Sequence, residues 1–149
     1  MQAYLRSAPD DARSVVEWAK RTGRVVTVRL VKGAYWDGEI KRAQERGLPG
    51  YPVFTRKAST DVSYLVCAGR LLARRDLFYP QFATHNAGTI AALLQMAKMA
   101  LPLKAVGAAF EFQRLHGMSE GLYREVLRDP TIACRIYAPV GEHRDLLAY

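Results

Sequence analysis

The sequence predicts an α/β protein built as part of a (β/α)8 barrel, roughly the C-terminal half, with the first strands and the closing helix missing. Three observations predict it. Helical and strand patterns alternate along the chain, which implies parallel strands joined by right-handed crossovers. Each of the four strands ends in polar residues of a chemical kind: Arg29 and Lys32, then Thr84-His85-Asn86, then Glu111, Gln113 and His116, then Tyr137. Repeated use of strand carboxyl ends is a barrel layout, whereas an open doubly wound sheet uses only its switch point. At 149 residues the chain is short of the roughly 250 that a complete barrel takes, and one partial domain over residues 1–149 is expected.

The elements follow in order. Asp10 to Thr22 carries Ala12, Val15, Val16 and Ala19 at helical spacing, with Gly23 as a stop. Val25, Val26, Val28, Leu30 and Val31 form a branched run that reads as a strand from Arg24, buried on both faces. Gly33 permits a tight turn or a close backbone approach, and Asp37 is placed to cap a helix running to Glu45. A turn-rich linker, Gly47 to Pro52, leads to a helix opened by Ser59-Thr60-Asp61, with Val62, Leu65, Val66, Ala68, Leu71 and Leu72 as its apolar positions. Phe78 to Thr84 is the next strand despite Pro80. A helix from Thr89 to Ala100, a strand from Ala108 to Gln113, a helix from Ser119 to Arg128 and a strand from Ala133 to Tyr137 complete the alternation, and Glu142 to Tyr149 begins another helix.

Composition narrows the function classes. Half of the residues are hydrophobic, as in a globular protein. The net charge of +8 is compatible with nucleic acid, an acidic partner or a phosphate-bearing cofactor. The cations fall in separate short pairs, Lys20-Arg21, Lys41-Arg42, Arg56-Lys57 and Arg74-Arg75, without a nucleic-acid recognition motif, so no nucleic-acid partner is expected. Cys67 and Cys134 read as reduced core residues of a cytosolic protein. No apolar stretch reaches membrane-spanning length, and the N-terminus lacks the apolar core of a signal peptide.

The segment from Arg29 to Asp37 carries the most chemistry. Two cations, a glycine and the aromatics Tyr35 and Trp36 stand where a buried strand ends, which suits a phosphate-bearing ligand with flat rings. The alternative is purely structural: a snorkelling Lys32 and an Arg29 paired with a carboxylate. Thr55-Arg56-Lys57 precedes a helix and offers cations and hydroxyls to a diphosphate, or else is a solvated basic loop. Neither G-x-G-x-x-G nor the P-loop pattern occurs. His85 suits a hydrogen-bonding role at a strand end, and with no second histidine at i+3 or i+4 no metal site is expected. Period-two alternation puts Glu111 and Gln113 on one face of their strand, opposite Phe110 and Phe112, with Arg29 as a plausible partner.

Several long motifs in order make the family specific. Arg29-Leu30-Val31-Lys32-Gly33-Ala34-Tyr35-Trp36-Asp37, Gly50-Tyr51-Pro52-Val53-Phe54-Thr55-Arg56-Lys57, Pro80-Gln81-Phe82-Ala83-Thr84-His85-Asn86, Glu111-Phe112-Gln113-Arg114-Leu115-His116-Gly117-Met118 and Cys134-Arg135-Ile136-Tyr137-Ala138-Pro139-Val140-Gly141 resemble the proline dehydrogenase domain of bifunctional proline utilization A. The likeness runs from Gln2 to Tyr149. It implies non-covalent FAD, oxidation of L-proline to Δ1-pyrroline-5-carboxylate by hydride transfer to flavin N5, and electron delivery to membrane quinone by a cytoplasmic protein that visits the inner membrane face during turnover. By the same resemblance Gln2 and Arg29 contact the isoalloxazine, Val31, Lys32, Gly33 and Ala34 hold the cofactor, and Trp36 lies beside the adenine. Thr55, Arg56, Lys57, Thr84 and His85 complete the FAD set, Leu115, Tyr137 and Tyr149 line the proline pocket, and Arg29 and Tyr137 are the expected catalytic pair. A lysine, an aspartate and an arginine pair that the family uses on the proline side have no counterpart among these residues. The chain therefore reads as a fragment whose partners are the missing barrel segments or a second copy, with an inactive remnant or interaction module as the alternative.

Overall fold

The structure, a computed structural model, describes residues 1–100 and 109–142. Four strands, β1 (Val26–Leu30), β2 (Phe78–Ala83), β3 (Glu111–Leu115) and β4 (Cys134–Tyr137), form one parallel sheet in the order β1-β2-β3-β4. Among the described residues the order contains no reversal, so these four strands present no switch point of the kind at which doubly wound folds bind ligands. Helix α1 (Ala8–Thr22) precedes β1, α2 (Trp36–Glu45) and α3 (Lys57–Leu72) lie between β1 and β2, α4 (Ala87–Ala100) follows β2, and α5 (Glu120–Val126) joins β3 to β4.

Register explains how the sheet sorts its residues. Val28 pairs with Pro80, Leu30 with Phe82 and Phe82 with Phe112, so even-numbered side chains share one face. That face packs on Tyr64, Cys67, Ala68 and Leu71 of α3 and on Ile90, Leu93 and Ala97 of α4. Phe82, Phe110, Phe112 and Tyr123 meet in tilted and edge-on pairs with centroids 5.4, 5.4 and 6.2 Å apart, the geometry aromatic quadrupoles favour. The odd-numbered face is polar: Arg29, Gln81 and Glu111 stand in one row, Gln113 and Arg135 in the next.

Several boundaries differ from the sequence expectation. β1 is not buried on both faces; Thr27 and Arg29 are exposed while Val28 and Leu30 are buried. A branched run reads as doubly buried because hydrophobicity cannot report what packs over each face, and here the helices cover only the face of Val28 and Leu30. Asp37 lies within the first turn of α2, whose cap position is Tyr35, and α3 begins at Lys57, ahead of Ser59-Thr60-Asp61. Neither helix has a side-chain cap, so the capping signals pointed to residues inside the first turns. β3 runs Glu111–Leu115, later than expected, because its pairing with β2 begins at Gln81 and Glu111. Gly23 ends α1 in the left-handed conformation, as its sequence position required. The expected start of the third strand at Ala108 and the C-terminal helix with Tyr149 lie outside the described residues.

The segment before α1 lies beside the end of β1. Ala3 donates from its backbone to Val31 O and Tyr4 to Lys32 O, both at 2.8 Å, and Gln2 forms a parallel bridge with Val31. The sheet is thereby extended at the point where Lys32 and Gly33 leave it.

Candidate functional site

The carboxyl ends of all four strands open onto one cavity of about 830 Å3. Its wall includes Gln2, Arg29, Val31, Lys32, Gly33, Ala34, Lys57, Thr84, His85, Leu115 and Tyr137. A second hollow of about 480 Å3, lined by Trp36, Phe54 and Thr55 among others, shares Lys32, Gly33 and Lys57 with the first. Eleven of the expected site residues therefore meet in the main cavity and two more, Trp36 and Thr55, join through the second. Arg56 stands apart, in a depression with Arg6, Tyr51, Thr55 and Ser59. Tyr149 lies outside the described residues.

Lys32 and Lys57 are held on a single carboxylate. Lys32 Nζ lies 2.6 Å from Asp61 Oδ1 and Lys57 Nζ 2.8 Å from Asp61 Oδ2, so two cations share one anion and the trio keeps a net positive charge. The hydrogen bonds from Lys32 and then Lys57 push the Asp61 carboxyl below its ordinary range. Both cations flank the N-terminus of α3, which has no side-chain cap and no acidic residue in its first turn. Free N–H groups and the positive end of the helix dipole there favour an anion.

Gly33 makes the neighbouring backbone possible. Its φ of 130° is open only to glycine, and a Cβ would stand 2.6 Å from the buried Tyr4 ring. Trp36 Nε1 donates to Phe54 O at 2.8 Å, fixing the indole against the second hollow. At the other end of the cavity the Arg29 guanidinium lies 4.8 Å from the Tyr137 ring centroid and donates through Nε to Gln113 Oε1 at 2.6 Å. The expected partnership between Arg29 and the polar face of β3 is present, through the amide rather than through a carboxylate.

His85 is fixed as a neutral imidazole. Its Nε2 accepts the Leu115 backbone N–H at 2.9 Å, so its proton resides on Nδ1. Burial, and next the Arg114 charge, push its pKa below the usual 6.5. Thr84 is buried below it, and the Tyr123 hydroxyl donates to Thr84 O at 2.7 Å, tying α5 to the end of β2. Asn86 Oδ1 accepts from the Thr89 backbone at 2.9 Å and so starts α4 at the cavity rim.

Sequence reasoning missed Tyr4 and Asp61 as parts of the site, whereas Tyr35 and Asn86, both named at strand ends, line the main cavity. Tyr4 and Asp61 enter only through tertiary contacts, with Gly33 and with Lys32.

A parallel, sequentially ordered α/β sheet gathers cations and aromatics at its strand ends, an arrangement whose chemistry suits a flat-ringed, anionic ligand. The chain belongs to the proline dehydrogenase family, whose family model matches residues 1–149. The bifunctional protein PutA of Klebsiella aerogenes is 53% identical across the whole chain, and the chain spans 11% of that protein's length. Among solved structures, a variant of Bradyrhizobium japonicum proline utilization A matches with a TM-score of 0.88 and 57% identity over all of this chain and 15% of its own. The Bdellovibrio bacteriovorus proline utilization A inactivated by N-propargylglycine matches at 0.89 and 43%, again over all of this chain and 15% of its own.

Proposed function

We propose that residues 1–149 are one partial proline dehydrogenase barrel domain that holds FAD for the oxidation of L-proline to Δ1-pyrroline-5-carboxylate, as part of a larger enzyme. The observation that carries the reading is the convergence of four strand ends on one cavity, with cations at one end and an arginine–tyrosine pair at the other. The sequential strand order and the polar odd-numbered face support a barrel wall.

The residues fit the cofactor. A dinucleotide needs positive charge for its diphosphate and flat or apolar walls for two ring systems. Lys32, Lys57 and the α3 N-terminus provide the first; Trp36 and Phe54 provide a wall in the second hollow, and Val31, Leu115 and Tyr137 in the main cavity. Bound flavin would supply a two-electron acceptor, taking a hydride from a proline ring carbon while the ring nitrogen loses a proton to give the cyclic imine. The chain's own groups do the remaining work. Arg29 presents a fixed cation that favours an electron-rich ring over a neutral one. Neutral His85, with its proton on Nδ1, offers a donor at the cavity wall, and its lowered pKa keeps it from adding to the cavity's positive charge at neutral pH. Leu115 and Tyr137 shape the side on which proline would lie.

The cations and aromatics lining the cavity support a role on the flavin side of the reaction, and the reading extends to membrane quinone as the larger enzyme's acceptor. Flavin fluorescence quenching on titration with FAD tests the reading: saturable one-to-one quenching is expected, and no binding at any accessible concentration overturns it. Proline-dependent dye reduction by the same sample is expected to be weak or absent.

A further inference from the structure

Glu111 is a buried carboxylate in a chain with many exposed ones. It accepts four hydrogen bonds: from Arg135 Nε at 2.7 Å and Arg135 Nη2 at 3.0 Å, from Gln81 Nε2 at 2.7 Å and from Gln113 Nε2 at 2.9 Å. Because the Gln113 NH2 group is committed to Glu111, its carbonyl oxygen must face the other way. Arg29 Nε donates to that oxygen at 2.6 Å. The amide is thus polarised from both ends, a carboxylate demanding its donor side and a guanidinium demanding its acceptor side. A reversed amide would set N–H against N–H and oxygen against oxygen.

The arrangement also decides how Arg29 is held. Among the described residues Arg29 has no carboxylate partner, and Gln113 is its only side-chain hydrogen-bond acceptor. A direct pair with Glu111 would neutralise the cation at the sheet. The intervening amide instead leaves the charge uncompensated and carries it over β2, where Ala83, the register partner of Gln113, contributes only a methyl group. The Tyr137 ring then covers one guanidinium face. With Nε bonded and one face stacked, the terminal nitrogens are left for the cavity.

We propose that Gln113 is a positioning residue for Arg29, oriented by Glu111, which Arg135 anchors in turn. This deepens the flavin reading above and rests on it for the consequence at the cofactor, since Arg29 is the cation placed there. It reaches further in giving three residues outside the cofactor set a role in the reaction. Satisfying buried polar groups alone would require Glu111 and Gln113 to find partners; it would not require the amide to point its oxygen at this cation.

The test has two arms. In the ligand-free chain with 15N-labelled arginine, the Arg29 Nε–H signal, assigned by its loss in Arg29→Lys, should exchange slowly with solvent. Exchange should quicken about tenfold in Gln113→Leu and in Glu111→Gln, the size expected for a hydrogen bond to a charged group. Glu111→Gln keeps the shape of the site and carries the test if Gln113→Leu does not fold. Equal exchange in wild type and Glu111→Gln, or a change that merely follows the thermal midpoint, overturns the proposal. In the FAD-loaded chain Gln113→Leu, which changes no formal charge, should make the flavin midpoint potential more negative, because Arg29 is no longer held toward the ring; an unchanged potential also overturns it. Failure of the wild-type chain to bind FAD would sink the flavin reading alone, and the exchange measurement would still decide whether Gln113 positions Arg29.

Discussion

His85 shows how a single hydrogen bond sets both charge and stability. Its Nε2 accepts from Leu115 N–H, so protonation would place a new donor against an existing one. Burial and Arg114 act in the same direction, and the folded pKa lies below the unfolded value near 6.5. A histidine with a depressed folded pKa stabilises the protein above its unfolded pKa and loses that contribution as pH falls through the folded one. The urea midpoint of the ligand-free chain should therefore decline between about pH 7 and pH 5, and His85→Gln should flatten that decline. An identical slope in the variant would assign the decline to another group. The residue was legible in sequence as a hydrogen-bonding histidine at a strand end; which atom it bonds was not, because Leu115 comes beside it only when β2 and β3 pair.

Among the elements, α3 is the one whose design runs against its own stability. A helix of 16 residues normally gains from a capping side chain and an acidic first turn; α3 has neither, and starts instead from Arg56 and Lys57. Arg56 already has extended backbone angles, φ −110° and ψ 127°, suited to a capping residue. Arg56→Asp should stabilise the ligand-free chain by about 1 kcal/mol through capping and the helix dipole. It should weaken FAD binding several-fold, since it places an anion where the diphosphate is expected. Denaturant unfolding and flavin titration on the same protein check this, and unchanged or tighter FAD binding would remove the α3 N-terminus from the site. The same helix marks the reach of sequence reading. Alternation of helix and strand was legible across the described residues because apolar periodicity survives without tertiary context, and Arg29, Lys32 and Lys57, singled out in the sequence, line one cavity. Helix starts were not legible, because Ser59-Thr60-Asp61 and Asp37 carry capping chemistry that the structure uses otherwise: Asp61 is taken by Lys32 and Lys57. The separation of Arg56 from the main cavity was equally hidden, since adjacent residues at a helix start point in different directions.

For the molecule as a whole, groups from the ends of all four strands gather at one cavity, on a sheet whose outer flank is β4 among the described residues. The chain spans 11–15% of the length of the relatives cited above, and among the described residues β4 pairs with β3 alone. A flank without a partner offers unpaired N–H and C=O groups to another chain. Its apolar character is concentrated in Ile136, 52% exposed on the same face as the buried Phe112. Net charge acts against association: at +8, like copies repel, and that repulsion weakens as salt shortens the screening length. The purified chain should therefore associate with rising concentration, and more so at higher ionic strength, the reverse of what pairing between opposite charges would give. Ile136→Lys removes the apolar contact and adds a charge at the flank, so it should shift sedimentation velocity profiles toward monomer at every salt concentration. Because the side chain is half exposed, unfolding free energy should change by no more than about 0.5 kcal/mol. Unaltered association in Ile136→Lys would mean that copies meet elsewhere than at the β4 flank.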